Sequence, residues 1–403
     1  MSKAKKPHFL IKNNPQKGGY KYSDILTHSV LKDICVRAIG CEEYTVHFDN
    51  DGYNKGRLAK IDYNDSATYV TLSEAGKIKG RNYFFQSLTT ALIRYHQDES
   101  TKKRICFYFL KPEGSIETDY FKFMYRLMAT AGFVFLNATD YLSQAIAPFT
   151  SIEDIIFARY QNRGRNQGNN STYMTKGLNG ITEIYGKTYG ASKKETTLLC
   201  IVSSHVAKAV DLYEICEQDL TELPGPDLEV IRSLKNVSVI PTNLTMERKE
   251  FEDHNSLRSP RYIYNLLEKL GPKKCAFCDC EIPELVAGAH VWPVADIKKM
   301  KGLGFDDKLK HATDGDNGLW LCDNHHKILD ENFLKIERDG VLKCRVGLAE
   351  RAVSFIKDIT SAHQIESVLL TSKFKEYLKK RNTPLEGIKY ASLLPKKEVP
   401  FLG

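Results

Sequence analysis

The sequence predicts an α+β fold, with a large mixed α/β region first, a small module built around cysteine and histidine next, and helices at the C-terminal end. Three observations lead to this prediction. Apolar runs of strand length alternate with runs of helical spacing over the first 255 residues. Cysteines and histidines then cluster between residues 275 and 326, and helical spacing returns after about residue 345. The predicted domains are 1–255, 256–345 and 346–403.

The composition is that of a globular protein with a substantial core, since 42% of the 403 residues are hydrophobic and 27% are charged. No apolar run is long enough for a transmembrane helix, and the lysine-rich N-terminus lacks the apolar stretch of a secretory signal. We therefore expect a cytoplasmic protein without a membrane partner. The net charge of +8 permits an anionic partner but does not require one.

The N-terminal region contains several predicted elements, each inferred from apolar spacing and from helix-stop signals such as Gly132. The predicted strands are "ATYVTLSE", "RICFYFL", "TTLLCIVSS" and "VSVIP". The predicted helices are "NYFFQSLTTALIRYHQ", "DYFKFMYRLMATAGF", "HVAKAVDLYEICEQ" and, just before the cysteine cluster, "RYIYNLLEKL". The dense aromatic residues among these runs indicate a buried core.

The cysteine and histidine cluster has the spacing of a metal site. Cys275 and Cys278 form C-x-x-C, and Cys322 and His325 form C-x-x-H about 45 residues later. Zinc prefers four thiolate or imidazole ligands in a tetrahedron, often supplied as two such short-spaced pairs. Clustered cysteines in a cytosolic chain favour metal over disulfides. We predict a structural zinc site on these four residues. Cys280 is an alternative ligand, but Cys278 keeps the usual knuckle spacing.

The second histidine of "GLWLCDNHHKILD" predicts a second metal. We predict that this stretch is helical from near Asp316. At about 100° per residue, Cys322 and His325 then share one stripe, while His326 and Asp330 share another about a quarter-turn away. A histidine and an aspartate at i,i+4 can face one ion. The helix would thus serve the zinc and, separately, Mg²⁺ or another divalent ion.

His290 is the candidate general base. It lies in "GAHVWPV", which predicts a strand, and imidazole has the right unperturbed pKa to take a proton from water near neutral pH. Asn317 lies in the turn "DGDNG", where its amide can bond the backbone or hold the other ring nitrogen of His290. Taken alone, His290 would be interpreted as a core histidine. With Asn317, His326 and Asp330 following in order, a catalytic role is favoured.

The series Cys-x-x-Cys, "AHVWPV", Asn317, "LCDNHH" and Asp330 resembles the HNH endonuclease motif of the ββα-metal class. It is most similar to the zinc-knuckle form found in restriction endonucleases, over residues 273 to 336. The resemblance implies that His290 is the general base, that Asn317 orients it and that His326 is a metal ligand. Asp330 falls where a further metal ligand often lies.

One position departs from the motif. Ala289 stands where many members of this family carry a metal-binding aspartate or histidine. The resemblance therefore implies an ion held by His326, Asp330, phosphate oxygens and water.

The resemblance implies a nuclease that acts on double-stranded DNA. We predict a sequence-specific, metal-dependent enzyme similar to type II restriction endonucleases, whose layout also places a large region ahead of the HNH module. Cutting both strands with one site per chain predicts a homodimer or successive nicking. A modification-dependent restriction enzyme remains an alternative, because a base-flipping pocket has no short signature. A toxin, a homing-type nuclease and a non-catalytic zinc-stapled DNA-binding protein are further alternatives.

Sequence recognition is expected from residues 1 to about 255. The polar stretch 160–180 predicts a long loop, either a surface excursion or a segment that orders on DNA. The basic turn that follows is either solvated or in contact with phosphate. The candidate DNA-binding residues of these segments are Arg163, Arg165, Lys187 and Lys193. The rival interpretation assigns recognition to the helices after residue 350, which carry Lys379, Lys380 and Arg381.

Overall fold

The computed structural model divides the chain into two compact units. The first comprises Met1–Met174, Gly186–Glu214 and Glu222–Ile240, and the second comprises Thr175–Tyr185, Ile215–Thr221 and Pro241–Gly403. The structure describes residues 8–14, 27, 29–30, 32, 43–49, 58–63, 66–74, 104–112, 119–132, 134–135, 147–161, 172–187, 192–215, 223, 225–255, 257 and 259–393.

The first sheet has six strands in the order β2-β3-β4-β5-β1-β6. The strands are β1 (His8–Asn14), β2 (Thr45–Asp49), β3 (Leu58–Tyr63), β4 (Ser66–Glu74), β5 (Arg104–Pro112) and β6 (Val134–Phe135). β5 pairs in parallel with both β4 and β1, whereas β2, β3 and β4 pair as antiparallel neighbours. The strand predictions for "ATYVTLSE" and "RICFYFL" are confirmed by β4 and β5.

The second sheet has four strands in the order β10-β9-β8-β7. Its strands are β7 (Thr172–Lys176), β8 (Thr182–Lys187), β9 (Val210–Ile215) and β10 (Val237–Pro241). The helices of this part of the chain are α1 (Asp119–Thr130), α2 (Ile152–Gln161), α3 (Ser192–Val206) and α4 (Gly225–Ser233). β10 confirms the strand predicted for "VSVIP". α1 confirms the helix that Gly132 ends, at a φ of +91°. The helix predicted for "NYFFQSLTTALIRYHQ" lies outside the described residues.

Two predictions in the N-terminal region assigned the wrong kind of secondary structure. "TTLLCIVSS" belongs to α3, and the predicted helix "HVAKAVDLYEICEQ" instead contains the end of α3 and then β9. The first error arose because α3 is buried around its circumference, from Leu198 through Val202. A helix buried on all sides shows no polar face, so its sequence has the appearance of an interior strand.

The C-terminal part of the chain carries the predicted ββα module and further helices. Its helices are α5 (Leu244–Asp253), α6 (Pro260–Leu270), α7 (Val294–Lys299), α8 (Phe305–Ala312), α9 (Asp323–Asp330), α10 (Glu350–Ile359) and α11 (Ser372–Asn382). Its strands are β11 (Val286–His290), β12 (Gly318–Cys322), β13 (Leu334–Ile336), β14 (Leu342–Arg345) and β15 (Tyr390–Ser392). β11 and β12 pair antiparallel and lead into α9, which gives the ββα order. The α+β fold class is confirmed. Among the described residues, no helix combines the length and the apolar character needed to cross a bilayer.

The helix predicted from near Asp316 is wrong in its first half. Residues 315–317 form a single 3₁₀ turn, Gly318–Cys322 is the strand β12, and the helix begins only at Asp323. The first four residues of β12 are all buried, so the alternation that marks a half-exposed strand is missing. Cys322 is therefore the residue that precedes α9 rather than part of a helical stripe. His326 and Asp330 do lie one turn apart on α9.

Helix α6 packs tightly against the β11–β12 hairpin, and two glycines permit the close approach. A Cβ atom on Gly318 would collide with the hydroxyl of Tyr262 and with Leu266. A Cβ atom on Gly288 would collide with the same Leu266 side chain. Both glycines have extended backbone, so it is the lack of a side chain, and not backbone freedom, that these positions require. Gly271 ends α6 at a φ of +82°.

We expect Gly318→Ala to lower the free energy of unfolding by about 1–3 kcal/mol, because the added methyl group overpacks the interface between α6 and the hairpin. Chemical denaturation of the full chain measures this change. Gly302→Ala is the matched control, since no atom lies within 4 Å of a Cβ placed there. Equal stability of both variants would show that α6 can move away from the hairpin without cost.

Candidate active site and metal centre

The four predicted zinc ligands come together in the structure. Their donor atoms all lie within 4.8 Å of one another. The Sγ atoms of Cys278 and Cys322 are 3.8 Å apart, and the Nδ1 atom of His325 lies 3.2 Å from Cys322 Sγ and 3.5 Å from Cys275 Sγ. A tetrahedron with ordinary zinc bond lengths has edges of about 3.5–3.8 Å. The donor set and its spacing therefore fit one zinc ion.

Backbone hydrogen bonds shape the knuckle that carries the first two cysteines. The backbone N–H of Cys275 donates to the carbonyl of Cys280 at 2.9 Å, and the N–H of Phe277 points at Cys275 Sγ at 3.5 Å. The N–H of Ala276 donates to the carbonyl of Trp320 at 2.8 Å, which ties the knuckle to β12. Cys280 thus closes the turn with its carbonyl group, and within the described residues its thiol does not belong to the metal-binding group.

A hydroxyl group from beyond the module supports the histidine ligand. His325 Nε2 donates to Thr360 Oγ1 at 3.1 Å, and the Thr360 hydroxyl donates to the carbonyl of Ile356 at 2.6 Å. This places the proton on Nε2 and leaves the Nδ1 lone pair for the metal. Burial, together with the neighbouring thiols, raises the pKa of Cys278 to about 12. The Cys278 thiol is therefore protonated at neutral pH in the absence of metal, and binding of zinc releases that proton.

His290 lies at the end of β11, which confirms its predicted strand. Its Nε2 atom donates to the carbonyl of Ala312 at 2.8 Å, so the lone pair is on Nδ1. Its ring stacks on Tyr262, with centroids 4.1 Å apart and planes within 10°. Burial, with a smaller contribution from the charge of a protonated His326, lowers the pKa of His290 to about 4. At pH 7 the ring is therefore neutral and able to accept a proton.

Asn317 is fully buried and uses its amide on backbone groups next to His290. Its Oδ1 atom accepts from the N–H of Trp292 at 2.7 Å, and its Nδ2 atom donates at 3.1 Å to the carbonyls of Trp292 and His311. Of the two partners considered from the sequence, the structure shows the backbone and not the ring of His290. Asn317 thus joins Trp292, two residues after His290, to His311. The residue after His311 is Ala312, whose carbonyl accepts the hydrogen bond of the His290 ring.

His326 and Asp330, the predicted second pair of metal donors, both lie on α9. The Nε2 atom of His326 lies 3.6 Å from Asp330 Oδ2, a span that two ligand bonds of about 2.1 Å can bridge. Asp330 is about half exposed, at 53% of its side-chain surface. Among the described residues no third histidine, cysteine or carboxylate completes a metal-binding group with them. Ala289 is buried in the hydrophobic core and offers no ligand atom.

The comparison with protein families agrees with this geometry. A family model described as HNH endonuclease matches residues 275–337. This segment is an HNH domain. The match supports nuclease activity and DNA as the substrate, and it spans the zinc-type cluster, both strands and α9. A comparison with curated proteins finds no match for the chain.

A buried arginine holds together the two elements that carry the candidate active site of the HNH domain. Arg381 on α11 donates through Nη1 to the carbonyl of Val291, 3.2 Å away, and through Nη2 to the carbonyl of Leu329 and to Asn332 Oδ1. Val291 follows His290, and Leu329 precedes Asp330. Only 4% of the Arg381 surface is exposed. Its position is therefore not that of the surface DNA contact which the rival interpretation of the sequence considered.

The other predicted DNA-binding residues belong to the first compact unit or are not described. Arg163 and Arg165 lie outside the described residues. Lys187 ends β8, where its side chain is half-buried, and Lys193 lies in the first turn of α3. Their role stays a prediction. The residues that sequence analysis missed, Thr360 and Tyr262, have no signal of their own, because each acts through a contact distant in sequence.

We expect one zinc ion per chain in protein purified without added metal, measured by elemental analysis. Cys275→Ser should lose the zinc and unfold the HNH domain, because a module this small buries too little apolar surface to fold without its metal. Cys280→Ser is the matched control and should keep its zinc and most of its stability, because the hydrogen bonds of Cys280 to the knuckle are made by its backbone. Full zinc content in the Cys275→Ser protein would rule out this ligand set.

Proposed function

We propose that the protein is a sequence-specific double-stranded DNA endonuclease of the type II restriction kind. The observation that carries the proposal is a neutral, hydrogen-bonded His290 in an HNH domain that also carries the His326–Asp330 pair. A non-catalytic zinc-stapled protein would need only the cluster of three cysteines and His325. It would have no use for His290, Asn317, His326 and Asp330 together.

The proposed reaction is hydrolysis of one phosphodiester bond. The lone pair on His290 Nδ1 takes a proton from water as the water attacks phosphorus. The hydrogen bond to the Ala312 carbonyl holds the ring and becomes stronger when the ring gains a positive charge. A divalent ion such as Mg²⁺, held by His326 and Asp330, would neutralise charge on the phosphate and on the leaving 3′ oxygen. The products would carry a 5′ phosphate.

The donors available for the divalent ion support this assignment of its ligands. His326 supplies a ring nitrogen and Asp330 a carboxylate oxygen, and the side chain of Ala289 is apolar and buried. Phosphate oxygens and water would therefore complete the shell, so that the ion would bind more tightly once DNA is present. A double-strand cut would come either from two such sites in a homodimer or from successive nicking by one site.

We expect His290→Ala to lower the rate of plasmid cleavage by at least 100-fold while leaving DNA affinity nearly unchanged, because a general base contributes about 10²–10⁴-fold to the rate and acts on water rather than on DNA. Cleavage of unmethylated and methylated plasmid with Mg²⁺, followed by sequencing of the ends, measures both the rate and any dependence on modification. His363→Ala, at an exposed histidine, is the control and should cleave normally. A His290→Ala enzyme with more than about one hundredth of the activity would exclude the assigned role.

We expect residues 1 to about 255 to select the sequence, because a specific interface needs roughly 1,000–2,500 Å² of protein surface and the HNH domain is short. Replacing both Arg163 and Arg165 by alanine should relax or abolish site preference while random nicking persists. Sequencing of cleavage ends from a mixed library measures the preference. Replacing the exposed Arg338 and Arg351 by alanine is the charge-matched control. Unchanged site choice in the Arg163 and Arg165 variant would contradict the loop assignment.

A further inference from the structure

Helix α11 lies along the stretch that follows His290. Arg381 bonds the carbonyl of Val291, and the ring of Tyr377 stacks on Trp292 with centroids 6.2 Å apart. Positions 373, 377 and 380 are spaced i, i+4 and i+7, so their side chains share one face of the helix. Lys373 and Lys380 therefore lie on the same face of α11 as Tyr377, whose ring packs on Trp292 beside the candidate active site.

Lys380 holds its positive charge over the ring of Trp292. Its Nζ atom lies 4.2 Å from the centroid of the Trp292 ring, two residues after His290. An ammonium group held over an aromatic ring keeps its outer side hydrated and available. In the part of the chain that the structure describes, no carboxylate forms an ion pair with Lys380. Other lysines of the HNH domain do have such partners, for example Lys327 with Glu331 at 2.6 Å.

His311, on α8, packs against this face of α11 through Tyr377. Its Nδ1 atom lies 3.0 Å from the hydroxyl of Tyr377, which in turn donates to Asp314 Oδ2 at 2.9 Å. Because the single hydroxyl proton is used on Asp314, His311 Nδ1 is the donor and its Nε2 atom carries a lone pair. Lys373 pairs with the same Asp314 carboxylate. Burial and the nearby charge of Lys380 lower the pKa of His311.

This face is connected directly to the groups that hold the candidate base. The carbonyl of His311 accepts a hydrogen bond from Asn317 Nδ2, and the next carbonyl, of Ala312, accepts from His290 Nε2. The cation of Lys380 lies over the ring of Trp292, two residues after the histidine that would act on water. A polyanion whose backbone passes over His290 would bring its neighbouring charges to this face.

We propose that the α11 face, formed by Lys373 and Lys380, binds the DNA phosphate backbone beside the scissile bond, with Lys380 as the principal contact. The inference rests on the proposed nuclease function and adds a DNA-binding element to it. A lysine that neutralises a phosphate strengthens binding to all sequences equally, so this surface supplies affinity and placement rather than sequence selection. It is therefore compatible with recognition by the N-terminal region.

The test is the salt dependence of DNA binding by the full chain. A duplex oligonucleotide in Ca²⁺ buffer serves as the probe, with affinity measured at several salt concentrations. Lys380→Gln removes the charge and keeps a side chain over Trp292. Each lost phosphate contact makes the slope of log K against log salt shallower by about 0.9. Between 50 and 200 mM salt, the affinity advantage of the wild type over the variant should then shrink by about 3.5-fold.

The matched control is Lys357→Gln, at an exposed lysine on α10 that lies near Cys344. Its slope should equal that of the wild type. If the wild type binds and cleaves DNA but Lys380→Gln shows the same salt slope, the inference is wrong and the nuclease proposal stands. If the wild type neither binds nor cleaves duplex DNA, the proposed function itself fails, and this inference fails with it.

Discussion

The HNH domain depends on the meeting of two short chain segments at one cluster of metal ligands. Cys275 and Cys278 precede β11, whereas Cys322 ends β12 and His325 lies on α9. An ion bound at this cluster would close the chain around the entire hairpin, including the His290 strand and the Asn317 turn. The hairpin on which α6 packs at Gly288 and Gly318 therefore lies inside that closed loop. The candidate base lies within the same loop, and the His326–Asp330 pair lies just beyond it.

The parts of the site that sequence analysis predicted are those whose chemistry restricts residue type. Ligands for zinc must be thiolates or imidazoles at short spacing, so Cys275 and Cys278 were recognisable without knowledge of the fold. The prediction that His326 and Asp330 lie one helical turn apart was also correct, although the helix begins seven residues later than predicted. Local patterns predict such features because all of their information lies within a few residues.

The remaining features depend on contacts between residues far apart in the sequence. Whether "TTLLCIVSS" becomes a strand or a helix is decided by burial on every side, which no local pattern records. β12 was missed for the same reason. Thr360, which supports the zinc ligand His325, is 35 residues away from it in sequence, and Arg381 is 52 residues away from Leu329. Nothing near either residue distinguishes it from an ordinary surface threonine or arginine.

The contacts of Arg381 bear on how this nuclease could be re-engineered. A chimera that borrowed only residues 275–337 would lose Thr360 and Arg381, and with them the proton partner of His325 and the donors to two buried carbonyls. β14 and β15 would be lost as well, and β13 would lose its partner strand β14. The transplantable unit therefore extends to about Leu393, and at its other end it must include α6 and Tyr262. Fusion designs should place their joints outside those limits.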